Sequence, residues 1–256
     1  MIKFLEEAMN SKYEQLTRQL KQLKFKIKED ELYDFLKDID GKKASIVDGL
    51  LALTEQELDA RTQSREMVNI HVASFPFTKS IDDYNFGFQP SVNESQIRSL
   101  CTGGFVNNHE NVVFLGNSGV GKTHLSVAIG IECIHYGIST YFIKTSKLIE
   151  NLRKARDQNR LEERLKHYCK YQLLIIDELG YLPIDEEDSK LFFQLIDRRY
   201  ERKSTIITTN ISFGNWTSIF KDIRTTGAIV DRLLHHSQIV TITGNSYRLK
   251  DILTEE

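Results

Sequence analysis

Eight consecutive residues, Gly116-Asn117-Ser118-Gly119-Val120-Gly121-Lys122-Thr123, carry the clearest chemistry in the chain. A glycine, four residues, then glycine-lysine-threonine is the Walker A pattern. Here it follows the apolar run 112–115 and precedes a helix expected to begin near Lys122. The glycines let the backbone wrap tightly with its N–H groups pointing inward, and the helix N-terminus adds its dipole, so together they make a nest for phosphate oxygens. The spacing predicts that residues 116–123, with His124 behind them, hold ATP: Lys122 reaches the β- and γ-phosphates and Thr123 gives its hydroxyl to Mg²⁺. A second run, Leu173-Leu174-Ile175-Ile176-Asp177-Glu178, reads as a buried strand ending in two carboxylates, at the end of a parallel sheet where ligands bind. Asp177 is expected to hold Mg²⁺ through water, and Glu178 to orient and deprotonate the attacking water. Taken alone, an acidic strand end is as often simply solvated; its pairing with the Walker A run gives it meaning. The third run, Ser204-Thr205-Ile206-Ile207-Thr208-Thr209-Asn210, is β-branched and ends in polar residues. In a sheet that places it between the first two strands, Asn210 faces the γ-phosphate and holds the attacking water; Thr-Asn is also a common exit from strand to turn.

These residues need a scaffold, and the rest of the sequence describes one. Apolar runs at 112–115, 140–143, 173–176, 205–209 and 239–242 alternate with amphipathic stretches at 124–136, 146–156 and 188–202. Buried strands separated by helices imply an α/β fold: a five-stranded parallel sheet between helices. Before it, a small all-α domain is expected over residues 1–70, with the ATPase domain over 71–256. Tyr13, Leu16, Leu20, Leu23 and Ile27 draw one apolar stripe along a first helix. Gly41 marks a break, and a second helix from about 45 to 67 offers Ile46, Leu50, Leu53 and Leu58 as core contacts. The join at 72–90 is dense in aromatics (Phe75, Phe77, Tyr84, Phe86, Phe88), which lose burial energy if left in water. It is expected to strap onto the following domain, either as plain packing or as a cover for a bound base.

Composition narrows the class. The chain has 256 residues, 40% hydrophobic and 27% charged, an ordinary globular mixture that excludes a disordered chain. Its formal net charge of −2 advertises neither nucleic acid nor membrane, so such partners must be argued from local patches. No run is long enough to span a bilayer, and the first ten residues carry two glutamates and no apolar core of a signal peptide, so a cytoplasmic protein with no membrane partner is expected. Cys101, Cys133 and Cys169 fit no zinc spacing and read as reduced packing thiols.

The three phosphate-site elements, in this order, resemble the P-loop ATPases of the AAA+ class. Asp231-Arg232-Leu233-Leu234-His235-His236-Ser237 and the following run to Tyr247-Arg248, together with the lead-in Phe75-Pro76-Phe77-Thr78-Lys79-Ser80, are similar to the IstB group of insertion-sequence transposition helpers, kin to the DnaC helicase loaders. The similarity covers about residue 50 to the C-terminus. It implies an ATPase domain without a C-terminal helical lid, its pocket closed by a segment such as the aromatic strap. It further implies a homo-oligomer, ring or spiral, with ATP between subunits. Such a protein assembles on double-stranded DNA and serves a partner transposase without cutting strands itself. By the same resemblance Arg232 is the finger that completes a neighbour's ATP site, with Arg224 as a rival, and Arg248 acts in cis near the phosphates. A guanidinium fork suits the charge spread over the γ-phosphate oxygens in the transition state.

Two basic stretches are candidates for the DNA. In the first helix Lys21, Lys24 and Lys28 stand at helical spacing beside the leucine stripe. Between 144 and 170, Lys147, Arg153, Lys154, Arg156 and Arg160 outnumber the acidic residues and are expected to touch phosphates without reading bases. A solvated charged face is the plain alternative for each. The DnaC-type loader shares the core, and the motifs do not separate the two readings. A small-molecule kinase would use the same phosphate loop, but the set Asn210, Arg232 and Arg248 speaks against it.

Overall fold

The computed structural model describes residues 13–42 and 45–249; the N-terminal residues examined for a signal lie outside these. The chain divides into two compact units, Met1–Val68 and Asn69–Glu256.

In the first unit three helices are described: α1 (13–22), α2 (Glu29–Lys42) and the long α3 (Ile46–Val72), which continues past the boundary between the units. Leu20, Leu32 and Leu53 are its buried contacts, with Tyr13, Leu16, Phe25 and Ile27 around them. The single apolar stripe expected from Tyr13 to Ile27 is therefore cut. Lys24 takes a left-handed φ of 60° and the chain is non-helical over 25–28, so Ile27 reaches the core from a connection. It follows that Lys21, Lys24 and Lys28 do not share a helix face, which corrects the spacing argument for them. Gly41 lies in the last turn of α2, which ends at Lys42, and the next helix begins at Ile46. On α3 only Leu53 of the four proposed core residues is buried. Ile46, Leu50 and Leu58 are exposed, because the unit is too small to cover more than one stripe of a helix this long.

The second unit begins at the end of α3 and holds a five-stranded parallel sheet: β1 (Asn111–Gly116), β2 (Thr140–Lys144), β3 (Leu173–Leu179), β4 (Ser204–Thr209) and β5 (Ser237–Ile242), in the order β2-β3-β4-β1-β5. This is the α/β architecture expected, and each of the five apolar runs forms its strand. The side-chain period of two divides the core. Val112, Phe114, Ile175 and Ile206 face α4 (Glu94–Cys101), α5 (Gly104–Asn107) and α6 (Lys122–His135). Val113, Leu174, Ile176 and Ile207 face the other layer: α7 (Thr145–Asp157), α8 (Leu161–Cys169), α9 (Glu186–Arg199), α10 (Thr217–Phe220) and α11 (Ile223–Leu234). Several helices start where a side chain caps free N–H groups: Asn93 accepts from the Gln96 N–H, Asp185 from that of Asp188, and Asp222 from those of Arg224 and Thr225. Among the described residues no helix is long and apolar enough to cross a membrane.

One buried cation fastens the N-terminal ends of two inner strands. Arg199, the last residue of α9, is 1% exposed and donates to Thr205 Oγ1 (3.1 Å) and to the carbonyls of Tyr168 (2.9 Å), Tyr171 (3.0 Å), Gln172 (3.4 Å) and Ser204. Burial pushes its guanidinium down to about 10, still charged at neutral pH. It joins the ends of α8 and α9 to the starts of β3 and β4, and its loss strands several buried carbonyls. Arg199→Met is expected to cost about 3 kcal/mol. Urea unfolding followed by the emission of Trp216, which is buried in this unit and is the sole tryptophan of the sequence, measures it.

Candidate functional site

β1 leads directly into the glycine-rich loop, and α6 begins at Lys122, so the strand–loop–helix placement is met. The loop's shape depends on the absence of side chains. Gly119 and Gly121 take φ of 82° and 97°. A Cβ on Gly119 would meet the Ser246 hydroxyl at 2.0 Å, and one on Gly121 the Tyr84 ring at 2.5 Å. The loop is thus gripped from two sides by segments distant in sequence.

At its mouth lies a cavity of about 600 Å³, within the usual range for small-molecule sites. Ser118 to His124, Asp177, Glu178, Asn210 and Arg248 all line it. Gly116 and Asn117 reach it through Lys122, whose Nζ donates to their carbonyls at 2.8 and 2.7 Å. Burial lowers the Lys122 pKa; Asp177 opposes this shift, and the Arg248 charge adds to it. β4 lies between β1 and β3, as the reading of Asn210 requires, and Asn210 is exposed just beyond its last residue.

Asp177 is 1% exposed and its Oδ1 accepts two hydroxyls, from Thr123 (2.9 Å) and Thr208 (2.5 Å). Its Oδ2 is buried and has no hydrogen-bond partner among the described residues. An unpartnered carboxylate oxygen beside a threonine hydroxyl is the hard-oxygen donor set Mg²⁺ takes, mostly through its own waters. The residues therefore fit the ion. Burial raises the Asp177 pKa, against the pull of the Thr208 and Thr123 hydroxyls.

Glu178 adopts a left-handed φ of 61° where β3 shifts register against β4, and its N–H donates to Thr208 Oγ1 at 2.9 Å. That conformation turns its side chain out of the strand's alternation and leaves it exposed beside the cavity. There Lys144 Nζ donates to Glu178 Oε2 at 2.9 Å. Lys144 and Thr208 are site residues that sequence reasoning missed. Their signal was positional: Lys144 ends β2 in register with Asp177, and Thr208 sits in the third motif, where only its β-propensity drew notice.

The strap at 75–89 lines the same cavity through Phe77, Tyr84 and Gln89. Tyr84 donates to the Val120 carbonyl (3.1 Å) and stands edge-on to His124, whose Nε2 pairs with the Ser80 carbonyl (2.9 Å). His124 accordingly meets the strap rather than the phosphate nest. Gln89 Nε2 donates to the Asn245 carbonyl (2.6 Å), and the Tyr247 N–H to that of Gly119 (2.9 Å), so strap, loop and the segment after β5 close on one another.

Arg232 does not line the cavity. On α11 it bonds Asp197 (2.8 Å) and the Ala228 carbonyl (3.1 Å) and lies over the rings of Phe193 and Tyr200. Arg224 is exposed, and its side chain makes no ion pair among the described residues. In the second basic stretch Lys147 and Lys154 both pair with Glu150, Arg156 with Asp157, and Arg160 with Glu163. Arg153 pairs with the buried carboxylate of Asp188 on α9, a tie between helices. In the first unit Lys28 pairs with Glu31 at 3.6 Å.

The raised Asp177 pKa has a consequence for stability. Its folded value stands above the unfolded one, so its contribution is greatest below the ordinary carboxylate range and declines as pH rises through the raised value. Asp177→Asn keeps an acceptor for both threonines and removes the buried charge. The variant without nucleotide is expected to have a higher urea midpoint than the parent at neutral pH, and the difference is expected to vanish in acid; Trp216 emission across pH 3.5–7.5, roughly the span from the carboxylate reference value upward, reads it.

Comparison with known proteins agrees with this geometry. The family model described as IstB-like ATP binding protein matches residues 18–254. The ATP-binding protein of insertion sequence IS232 from Bacillus thuringiensis subsp. berliner is 50% identical over 248 residues, covering 97% of this chain and 99% of that protein. Among solved structures, a DnaC helicase loader shares 28% identity with a TM-score of 0.52, covering 64% of this chain and 96% of that one. AMPPCP-bound DnaA from Aquifex aeolicus, at 18% identity and a TM-score of 0.56 over 71% of this chain and 55% of that one, shares the fold. The second unit is thus an AAA+ P-loop core, and the chain belongs to the family of IstB-like ATP-binding proteins of insertion sequences.

Proposed function

We propose that the protein is an ATPase that assembles on double-stranded target DNA through ATP-bridged subunits and recruits or activates a partner transposase. The observation that carries the reading is the division of the machinery. Lys122, Thr123, Asp177, Glu178, Asn210 and Arg248 surround one cavity, while Arg232 lies outside it with its guanidinium held by Asp197. A site that lacks its finger within one chain is completed by a neighbour, and such a head-to-tail contact builds a ring or an open spiral.

In this reading residues 116–123 hold the triphosphate while His124 ties the strap beside them, and Lys122 exchanges its two loop carbonyls for the β- and γ-phosphates. Thr123 and, through water, Asp177 hold Mg²⁺, which supplies charge neutralisation on the phosphate oxygens. Glu178 leaves Lys144 to take a proton from the attacking water, Asn210 positions that water, and the bond to ADP breaks as the water oxygen bonds the γ-phosphorus. The neighbour's Arg232 and the chain's own Arg248 meet the charge that spreads over the γ-phosphate oxygens. The strap at 75–89 covers the base. A ligand bound only at the assembled seam stabilises assembly, and hydrolysis loosens it.

For the DNA we favour Lys147, Lys154, Arg156 and Arg160. Their partners are exposed, and exposed pairs contribute only about 0–1 kcal/mol, which phosphate can displace. Arg153 is better placed to hold α7 against α9 through buried Asp188. Lys21, Lys24 and Lys28 of the first unit belong to a helical module suited to the DNA or the transposase. The loader-type resemblance supports a second reading, a DnaC-type helicase loader. The higher identity and fuller coverage of the insertion-sequence relative favour the first.

Three experiments test the proposal. ATPase rate, with and without duplex DNA, is expected to rise with protein concentration more steeply than linearly. Lys122→Ala and Arg232→Ala, each with turnover reduced about 100-fold or more, are expected to recover activity when mixed; a mixture no better than its parts removes Arg232 from the seam. Replacing Lys154, Arg156 and Arg160 with glutamine is expected to weaken DNA binding and to flatten the plot of log affinity against log salt by about 0.9 per lost phosphate contact.

A further inference from the structure

A second cluster of chemistry-bearing side chains lies away from the nucleotide cavity. α9 and α11 pack side by side, and their C-terminal ends bring Glu201, His235 and His236 together. All three are exposed, and one donor atom from each lies within 4.8 Å of the others. Two nitrogens face a single oxygen: Glu201 Oε1 is 3.9 Å from Nδ1 of His235 and 3.6 Å from Nε2 of His236. A tetrahedral ion with bonds near 2.1 Å holds neighbouring donors about 3.4 Å apart. The carboxylate–imidazole pairs thus need to close by only a few tenths of an ångström, and the two imidazoles, within 4.8 Å of each other, by about 1.4 Å at most, which rotation of exposed side chains supplies. Two imidazoles and one carboxylate form a borderline donor set that suits Zn²⁺, Ni²⁺ or Cu²⁺ better than Mg²⁺ or Ca²⁺. The α11 C-terminus, capped at His235, adds the negative end of its dipole.

We propose that Glu201, His235 and His236 form a binding site for one divalent transition-metal ion of the zinc class, distinct from the magnesium site at Thr123 and Asp177. One competitor is built in. Tyr200 Oη lies 2.6 Å from Nδ1 of His235, so the ion takes that nitrogen from the tyrosine. The Tyr200 ring in turn forms one wall against the Arg232 guanidinium, 5.9 Å from the ring centre. Occupancy therefore reaches the arginine's surroundings, but the site itself does not depend on what Arg232 does.

The test is a titration of the untagged full chain, stripped of metal and free of nucleotide, with Co²⁺ and then with Zn²⁺. One saturable Co²⁺ equivalent per chain with a visible ligand-field band, displaced by Zn²⁺, is expected. His236→Ala and Glu201→Gln are expected to weaken binding by about tenfold or more, and Tyr200→Phe to tighten it a few-fold by freeing Nδ1. Asp177→Asn is expected to leave it unchanged, which separates this site from the phosphate loop. Trp216 emission verifies that each variant is folded. Absence of saturable binding below about 1 mM overturns the proposal, as does equal affinity in the His235→Ala, His236→Ala double variant. An unaltered affinity in Tyr200→Phe overturns the competition with Tyr200.

Discussion

A single buried carboxylate oxygen draws the site together. Asp177 Oδ1 accepts hydroxyls from Thr123 at the start of α6 and Thr208 on β4, while its own strand is β3. The glycine-rich loop, the acidic strand end and the strand between them are therefore held by two short bonds at the inner wall of the cavity. Burial there favours the neutral acid, and the hydroxyls oppose it only in part. The arrangement keeps an ionisable group where a hydrophobic fold would not, and its second oxygen is left without a partner among the described residues. Strain and unmet polarity at one point, offset by a large apolar sheet around it, are the mark of a site shaped for binding rather than for stability.

Thr208 extends that tie to the neighbouring residue. The same hydroxyl oxygen that donates to Asp177 accepts the N–H of Glu178. That bond sits where the register slips and Glu178 takes a left-handed φ. The two adjacent carboxylates consequently part: Asp177 is buried, and Glu178 is exposed within reach of Lys144. One irregular peptide in the strand thus sets one carboxylate buried and the next exposed. Their environments set the roles that their chemical identity leaves equal.

Much of this was legible because it rests on local sequence. The phosphate loop, the strand-ending acids and the five apolar runs depend on composition over six to eight residues, and parallel strands buried on both faces announce themselves as continuous apolar runs. What escaped was set by tertiary partners. Arg199 looks like any charged residue at a helix end until carbonyls from the end of α8, the lead-in to β3 and the start of β4 close on it. Thr208 looks like a β-former until Asp177 arrives. The first unit misled in the opposite way. Its apolar stripe keeps helical spacing across a real break at Lys24, because a connection can deliver Ile27 to the core as well as a helix can. Charge counts along 144–170 likewise missed Asp188, which comes from α9 to take Arg153.

The same distinction orders the arginines. Arg153, Arg198 and Arg232 each pair with a carboxylate from another helix, yet the partners differ in burial: Asp188 is 2% exposed, whereas Glu162 and Asp197 are open to solvent. Withdrawing an arginine from a buried carboxylate leaves a charge without compensation, at a cost of about 3–5 kcal/mol, while leaving an exposed one costs about 1 kcal/mol or less. Arg153 is therefore fixed. Arg232, resting on two aromatic faces and one solvated aspartate, is held in a defined direction by contacts weak enough to yield to a phosphate. Under the proposed assembly, preorganisation without commitment suits an arginine that reaches into another subunit's site, since it would be aimed before the neighbour arrives and released when it does.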